Sequence, residues 1–178
     1  MRAESSAFVH KPAKNRGVRS GNGRTKIIFI ALAISAVLIF AASATLQYFS
    51  ADGFVEASVL QVSGDTIIIG NNCTAIAATT SPERAQSILQ GIDGATGERP
   101  NTHDTIAQIL KSFNITADAV KFNYYDGRYF YSDMILRSGS KVLALDMMPS
   151  DAIAIALRAN ATIYINGTLL AQIGKKIC

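Results

Sequence analysis

Pro149-Ser150-Asp151-Ala152-Ile153-Ala154-Ile155-Ala156-Leu157-Arg158 is the stretch whose reading decides the fold. It reads as a helix with a marked start and an apolar body. Pro149 suits a first turn, where its missing N–H has no partner to lose, and the Ser150 hydroxyl is placed to cap free amides. Asp151 brings a negative charge to the positive end of the helix dipole, and Arg158 brings a positive charge to the other end. Ala152 to Leu157 contains no polar side chain, so the helix has no wet face and is expected to be buried. Its alternating alanines let a sheet or a second helix approach closely.

Working outward, residues 141–146 read as a strand entering this helix and residues 162–171 as a strand or hairpin leaving it. A second polar cluster, Arg99-Pro100-Asn101-Thr102-His103-Asp104, also runs into a helix start. Ile106, Ile109, Leu110 and Phe113 recur there at helical spacing, which predicts a helix over 102–113 with Thr102 as a candidate cap. Ser81-Pro82-Glu83 opens another helix, with Ser81 as cap and an apolar stripe of Ala85, Ile88, Leu89 and Ile92. Residues 54–62, 66–69 and 73–80 read as strands separated by turn residues, as do 119–124 and 128–137. Asp126-Gly127 signals a hairpin. A two-residue loop would set Tyr124 opposite Tyr129 and Phe122 opposite Tyr131, aromatics that either stabilise a sheet or offer stacking faces to bases. The expected fold is α+β: a mixed β-sheet built from two β-β-β-α-type units with helices packed on it, preceded by one transmembrane α-helix.

That last element rests on residues 27–49, which hold no charge, Gly or Pro. At about 1.5 Å per residue the run reaches roughly 34 Å, enough to cross the hydrocarbon of a bilayer. Residues 1–26 carry seven Lys/Arg against Glu4 alone and lack the apolar side chains to fold. The positive-inside rule makes them a cytoplasmic tail and puts residues 50–178 outside the cell membrane as a single-pass domain. The alternative is a cleaved signal peptide with Ala42-Ser43-Ala44 at its cleavage site. Sequons at Asn72, Asn114, Asn160 and Asn166 all follow the apolar run, as N-glycosylation of an external domain would require. After residue 26, ten Lys/Arg face twelve Asp/Glu, so the domain has no general basic surface for tracking phosphates. The two cysteines, Cys73 and Cys178, have no zinc-ligand spacing; on an oxidising side they are free to pair with each other or between chains.

The two polar clusters together, with Arg99, Pro100, Thr102, His103 and Asp104 in the first and Asp146, Pro149, Ser150, Asp151, Ala152 and Arg158 in the second, resemble the bifunctional nuclease domain family. The resemblance covers roughly residues 54–170. Two departures stand out: Met148 occupies a position where the family usually has Arg, and the family's Ile-Gly-x-x-Glu-Ala segment is represented only by Thr79-Thr80-Ser81-Pro82-Glu83-Arg84-Ala85.

The resemblance implies a nuclease acting on DNA, RNA or both. Phosphodiester cleavage needs charge neutralised on the phosphoryl oxygens and an activated water, which divalent ions held by carboxylates supply together. Asp104, Asp146 and Asp151 are the candidate ligands for Mg or Mn. His103, Asp104, Asp151 and Arg99 are the candidate catalytic groups, with His103 as base and Arg99 as a bidentate phosphate clamp. The plainer reading makes Asp151 a cap and Arg99 an ion-pair partner of Asp151 or Asp146. Two functions follow from these readings. One is a membrane-anchored, metal-dependent nuclease; the other is a non-catalytic external domain that binds a ligand or protein in the same pocket. The lipid bilayer, nucleic acid and a second copy of the chain are the partners this implies.

Overall fold

A computed structural model describes residues 51–178 with the exception of Asn72. The expected membrane span at 27–49 and the basic tail lie outside the described residues. Among the described residues no helix is long and apolar enough to cross a membrane.

Three strands come first: β1 (Phe54–Ser63), β2 (Thr66–Gly70) and β3 (Thr74–Thr79). Two helices follow, α1 (Pro82–Asp93) and α2 (Thr102–Ser112), and then β4 (Thr116–Tyr125), β5 (Phe130–Ser138) and β6 (Lys141–Met147). The chain closes with α3 (Pro149–Ala159), β7 (Thr162–Asn166), α4 (Gly167–Ile173) and the short β8 (Lys175–Lys176). All strands join one sheet in the order β6-β5-β4-β7-β1-β2-β3-β8. Among the described residues only β4 and β7 pair in parallel. Each half of the sheet is therefore an antiparallel meander that runs into a helix, and β7 stitches the halves together. This is the mixed α+β sheet with two β-β-β-α units that the sequence predicts.

The apolar helix sits at the centre. Ala152 to Ala156 are at most 1% exposed. Helix α3 packs on β4, β5 and β7 and is flanked by α1 and α2. Ile153 and Ile155 join Phe122, Val120, Ile163 and Ile165 of the sheet in one core. Burying each such isoleucine contributes about 1.5–3 kcal/mol, which is why a helix this poor in polar residues is held so firmly.

Several local expectations change. Pro149 is the first residue of α3, but its cap position is Met148 and no side chain caps it; Ser150 is buried instead. Thr102 is likewise not the cap of α2. Asn101 is, and with Asp104 it closes a capping box. The predicted strand or hairpin over 162–171 ends at Asn166, whose side chain accepts hydrogen bonds from the Thr168 and Leu169 amides and starts α4. The β4–β5 loop holds four residues rather than two, and the register shifts between Phe122 and Tyr124. Tyr124 consequently faces Tyr131, Tyr125 faces Phe130, and Phe122 faces Ser132.

Three of the sequon asparagines have backbone roles. Asn114 and Asn160 both adopt φ of 53°, a conformation that Asn tolerates better than most residues, and Asn160 ends α3 there. Asn166 is the α4 cap. Their residue type is thus set by turn and cap chemistry without reference to glycosylation. The cysteines do pair: Cys73 and Cys178 form a disulfide with Cα atoms 4.9 Å apart across a separation of 105 residues. The bond ties the C-terminus to the start of β3, where β8 already pairs.

Candidate functional site

Helices α1, α2 and α3 bring four polar side chains to one place. Asp151, in the first turn of α3, accepts a hydrogen bond from Arg84 Nε through Oδ1 at 2.8 Å. The same oxygen lies 3.2 Å from His103 Nε2. On the other side of the ring, His103 Nδ1 is 2.9 Å from Ser87 Oγ. Ser87 Oγ already accepts from the Asn101 side-chain amide at 3.1 Å, so its own hydrogen is available to Nδ1. That assignment puts the ring proton on Nε2, where it is donated to Asp151, and satisfies the whole chain with a neutral imidazole. Exposure rises outward along it: His103 is 12% exposed, Asp151 26% and Arg84 36%.

Beneath this chain lies a buried ion pair. Arg158 Nε donates to Asp104 Oδ1 at 2.5 Å, and Arg158 Nη1 reaches the backbone carbonyls of Ser87 and Ala154. The two side chains are only 9% and 8% exposed. Burial by itself would raise the Asp104 carboxyl. The hydrogen bonds from Arg158 and from the Asn101 amide, with the charge of Arg158, outweigh it and hold the group below its ordinary value. Arg158 Nη2 is buried and has no hydrogen-bond partner among the described residues.

In front of Arg84 opens a cleft of about 750 Å³. It is lined by β2, β3 and the start of α1, and by the β4–β5 hairpin and the β6–α3 junction. Ile153 and Phe122 line its depth. Its polar lining includes Arg84, Arg128 and the exposed carboxylate Asp146. Tyr125, Tyr129 and Phe130 supply aromatic faces. The hairpin tip is tied down by Asp126, which accepts from the Arg128 and Tyr129 amides and from the Tyr131 hydroxyl. The Tyr129 and Arg128 amides hold the Asp126 carboxyl below its usual range. The same carboxylate pushes the Tyr131 phenol up.

The structure brings together some of the residues singled out by sequence and separates others. His103 and Asp151 meet. Asp104 is adjacent in sequence to His103, but it is committed to Arg158 and to the α2 cap. Arg99 is exposed and makes none of the described ion pairs; the arginine against Asp151 is Arg84. Asp146 reaches the cleft without joining either of the other carboxylates in an ion-binding group. Among the described residues no three His, Cys, Asp or Glu side chains form a group suited to one metal ion, so the expected trio of Asp104, Asp146 and Asp151 is not gathered into one ligand set. Sequence reading missed Arg84 and Ser87. Their signal was the spacing of three on α1, which puts both on one helix face.

Comparison with known proteins gives two findings. The family model described as bifunctional nuclease domain matches residues 71–177. Two uncharacterized proteins of Mycobacterium tuberculosis, from two strains, are each 36% identical over 90 residues, which is 51% of this chain and 53% of theirs. The chain thus spans about half the length of the curated relatives it matches.

Proposed function

The chain belongs to the bifunctional nuclease domain family, and we propose that its cleft is a nuclease site that hydrolyses phosphodiester bonds of DNA, RNA or both. The observation that carries this reading is Arg84, a cation on the cleft wall held at 2.8 Å by a carboxylate of the family motif. A guanidinium fixed in this way meets phosphoryl oxygens without having to be reoriented as charge builds on them. Asp151 positions Arg84, and His103, fixed by Ser87, positions Asp151. Asp146, the exposed carboxylate of the cleft, takes the proton of the attacking water, and the leaving oxygen is reprotonated from solvent. No step is assigned to a protein-held metal, since no three ligand side chains gather among the described residues.

A second reading, a ligand- or protein-binding domain without catalysis, is favoured by one observation. Arg84, Asp151, His103 and Ser87 already satisfy one another, as a purely structural network would. Labelled single-stranded DNA and RNA incubated with the purified full-length chain separate the two. The nuclease reading expects cleavage by the parent and at least about a tenfold loss in Asp151→Asn with the fold intact. Intact substrate under every condition would leave the binding reading.

The reading includes an anchor at residues 27–49 with the domain outside the membrane. The basic flank before the apolar run supports this. The Cys73–Cys178 bridge supports it independently, because such bonds persist on the oxidising side.

A further inference from the structure

We propose that the cleft is built for single-stranded nucleic acid, with bases stacking on the hairpin aromatics and a phosphate lying between Arg84 and Arg128. This deepens the nuclease-site reading and rests on it for the identity of the polymer. Three features of the same cleft carry the inference.

The first is size. A cavity of about 750 Å³ is of the class that encloses one or two nucleotides, well short of a duplex. The second is the disposition of rings. Tyr125 stacks on Phe130 with centroids 4.5 Å apart and remains 37% exposed, and Tyr129 is 53% exposed on the loop beside them. Aromatic faces that open into a cleft bind bases by stacking, and a base inside a duplex has no free face to offer. The third is charge. Arg128 lies 4.9 Å over the Tyr129 ring, so a cation and a stacking surface occupy the same point of the rim, and Arg84 lines the same cleft. Rings and guanidiniums in one cleft offer partners to both the bases and the phosphates of a strand.

Two other properties agree with this. The domain after residue 26 carries a slight acidic excess, which disfavours the broad phosphate tracking that duplex binding uses. Asp126 also holds the Arg128 and Tyr129 amides, so the hairpin tip is set before a ligand arrives. Asp146 is the one carboxylate among the described residues that line the cleft, and the proposed mechanism uses it on the water.

The test is fluorescence anisotropy with the full-length chain and a labelled oligonucleotide of about 12 nucleotides, single-stranded or annealed to its complement, at one fixed salt concentration. The single strand is expected to bind at least about tenfold more tightly than the duplex. Tyr129→Ala should lower single-strand affinity about tenfold, and Tyr129→Phe, which keeps the ring, should restore it. Tyr129 sits on an exposed loop, so neither variant should alter thermal unfolding. Equal affinity for the two forms, or an unchanged Tyr129→Ala, would overturn the proposal. The accompanying cleavage assay keeps the two readings apart. Equal cleavage of duplex and single strand sinks the strand preference and leaves the nuclease. Selective binding of single strands with no cleavage sinks the nuclease and leaves the cleft's ligand.

Discussion

Replacing Asp104 by asparagine should destabilise the protein out of proportion to the single atom changed. The Arg158 guanidinium is 9% exposed and its Nη2 already lacks a partner among the described residues. The Asp104→Asn side chain would keep an acceptor for the Asn101 amide but remove the only described charge paired with Arg158. Leaving one member of a buried pair uncompensated costs about 3–5 kcal/mol. Because the capping bond survives, the lower end applies, about 3 kcal/mol, or about 12 °C in midpoint for a domain of this size. The pH dependence follows from the direction of the Asp104 shift. Its folded value is depressed, so its contribution is fully present above the ordinary Asp value of about 3.9 and is lost as pH falls through the folded value. Parent and variant should therefore differ at pH 7 and converge in strong acid. Urea unfolding across that range, followed by circular dichroism, reads both effects. Adding Arg158→Met to Asp104→Asn should cost much less than the sum of the single changes, since no unpaired charge remains. A single-variant loss under about 1 kcal/mol at pH 7 would refute the reasoning, because only a solvent-screened pair is worth so little.

Three further outcomes are expected. Cys178→Ser opens a closed loop of 105 residues and should lower stability by up to about 4.7 kcal/mol in the chain-entropy picture; equal midpoints with and without reductant in the parent would contradict it. Gly70→Ala should unfold or strongly destabilise the chain, because a Cβ there collides with the Thr74 carbonyl and lies 2.6 Å from Ala75 Cα, both backbone; a thermal midpoint within a few degrees of the parent would show that the β2–β3 turn yields. External protease on intact cells should remove an epitope placed after Cys178, and survival of that epitope until lysis would reverse the proposed topology.

How much of this was legible in the sequence depends on the range of the interaction. The apolar run from Ala152 to Leu157 announced a buried helix because it has no alternative face to present, and the structure buries it between sheet and flanking helices. Ser81-Pro82-Glu83 announced α1 because cap chemistry is local. The same local reading failed at Ser150 and Thr102, where Met148 and Asn101 take the cap positions. It failed again beyond Asn166, whose side chain starts a helix in a stretch that alternates like a strand. The hairpin register was lost to a four-residue loop and a register shift, which no residue count foresees. In the site, His103 and Asp151 were readable as polar groups at helix starts. Their partners were not. Arg84 lies 67 residues from Asp151, and Arg158 lies 54 residues from Asp104. Only the packing of α1 and α2 against α3 decides which arginine meets which carboxylate, and Arg99 was the nearer candidate in sequence.

That choice between arginines is also where the account is most exposed. Single-turnover cleavage of a labelled single strand by the full-length chain should be compared among the parent, Arg84→Ala and Arg99→Ala. With Arg84 as the cation that meets the phosphate, its removal should slow cleavage by about a hundredfold or more. Arg99→Ala should stay within about twofold, the change expected when an exposed side chain outside the transition-state contacts is lost. A large loss in Arg99→Ala with Arg84→Ala near the parent rate would contradict the account and move the site to the other loop.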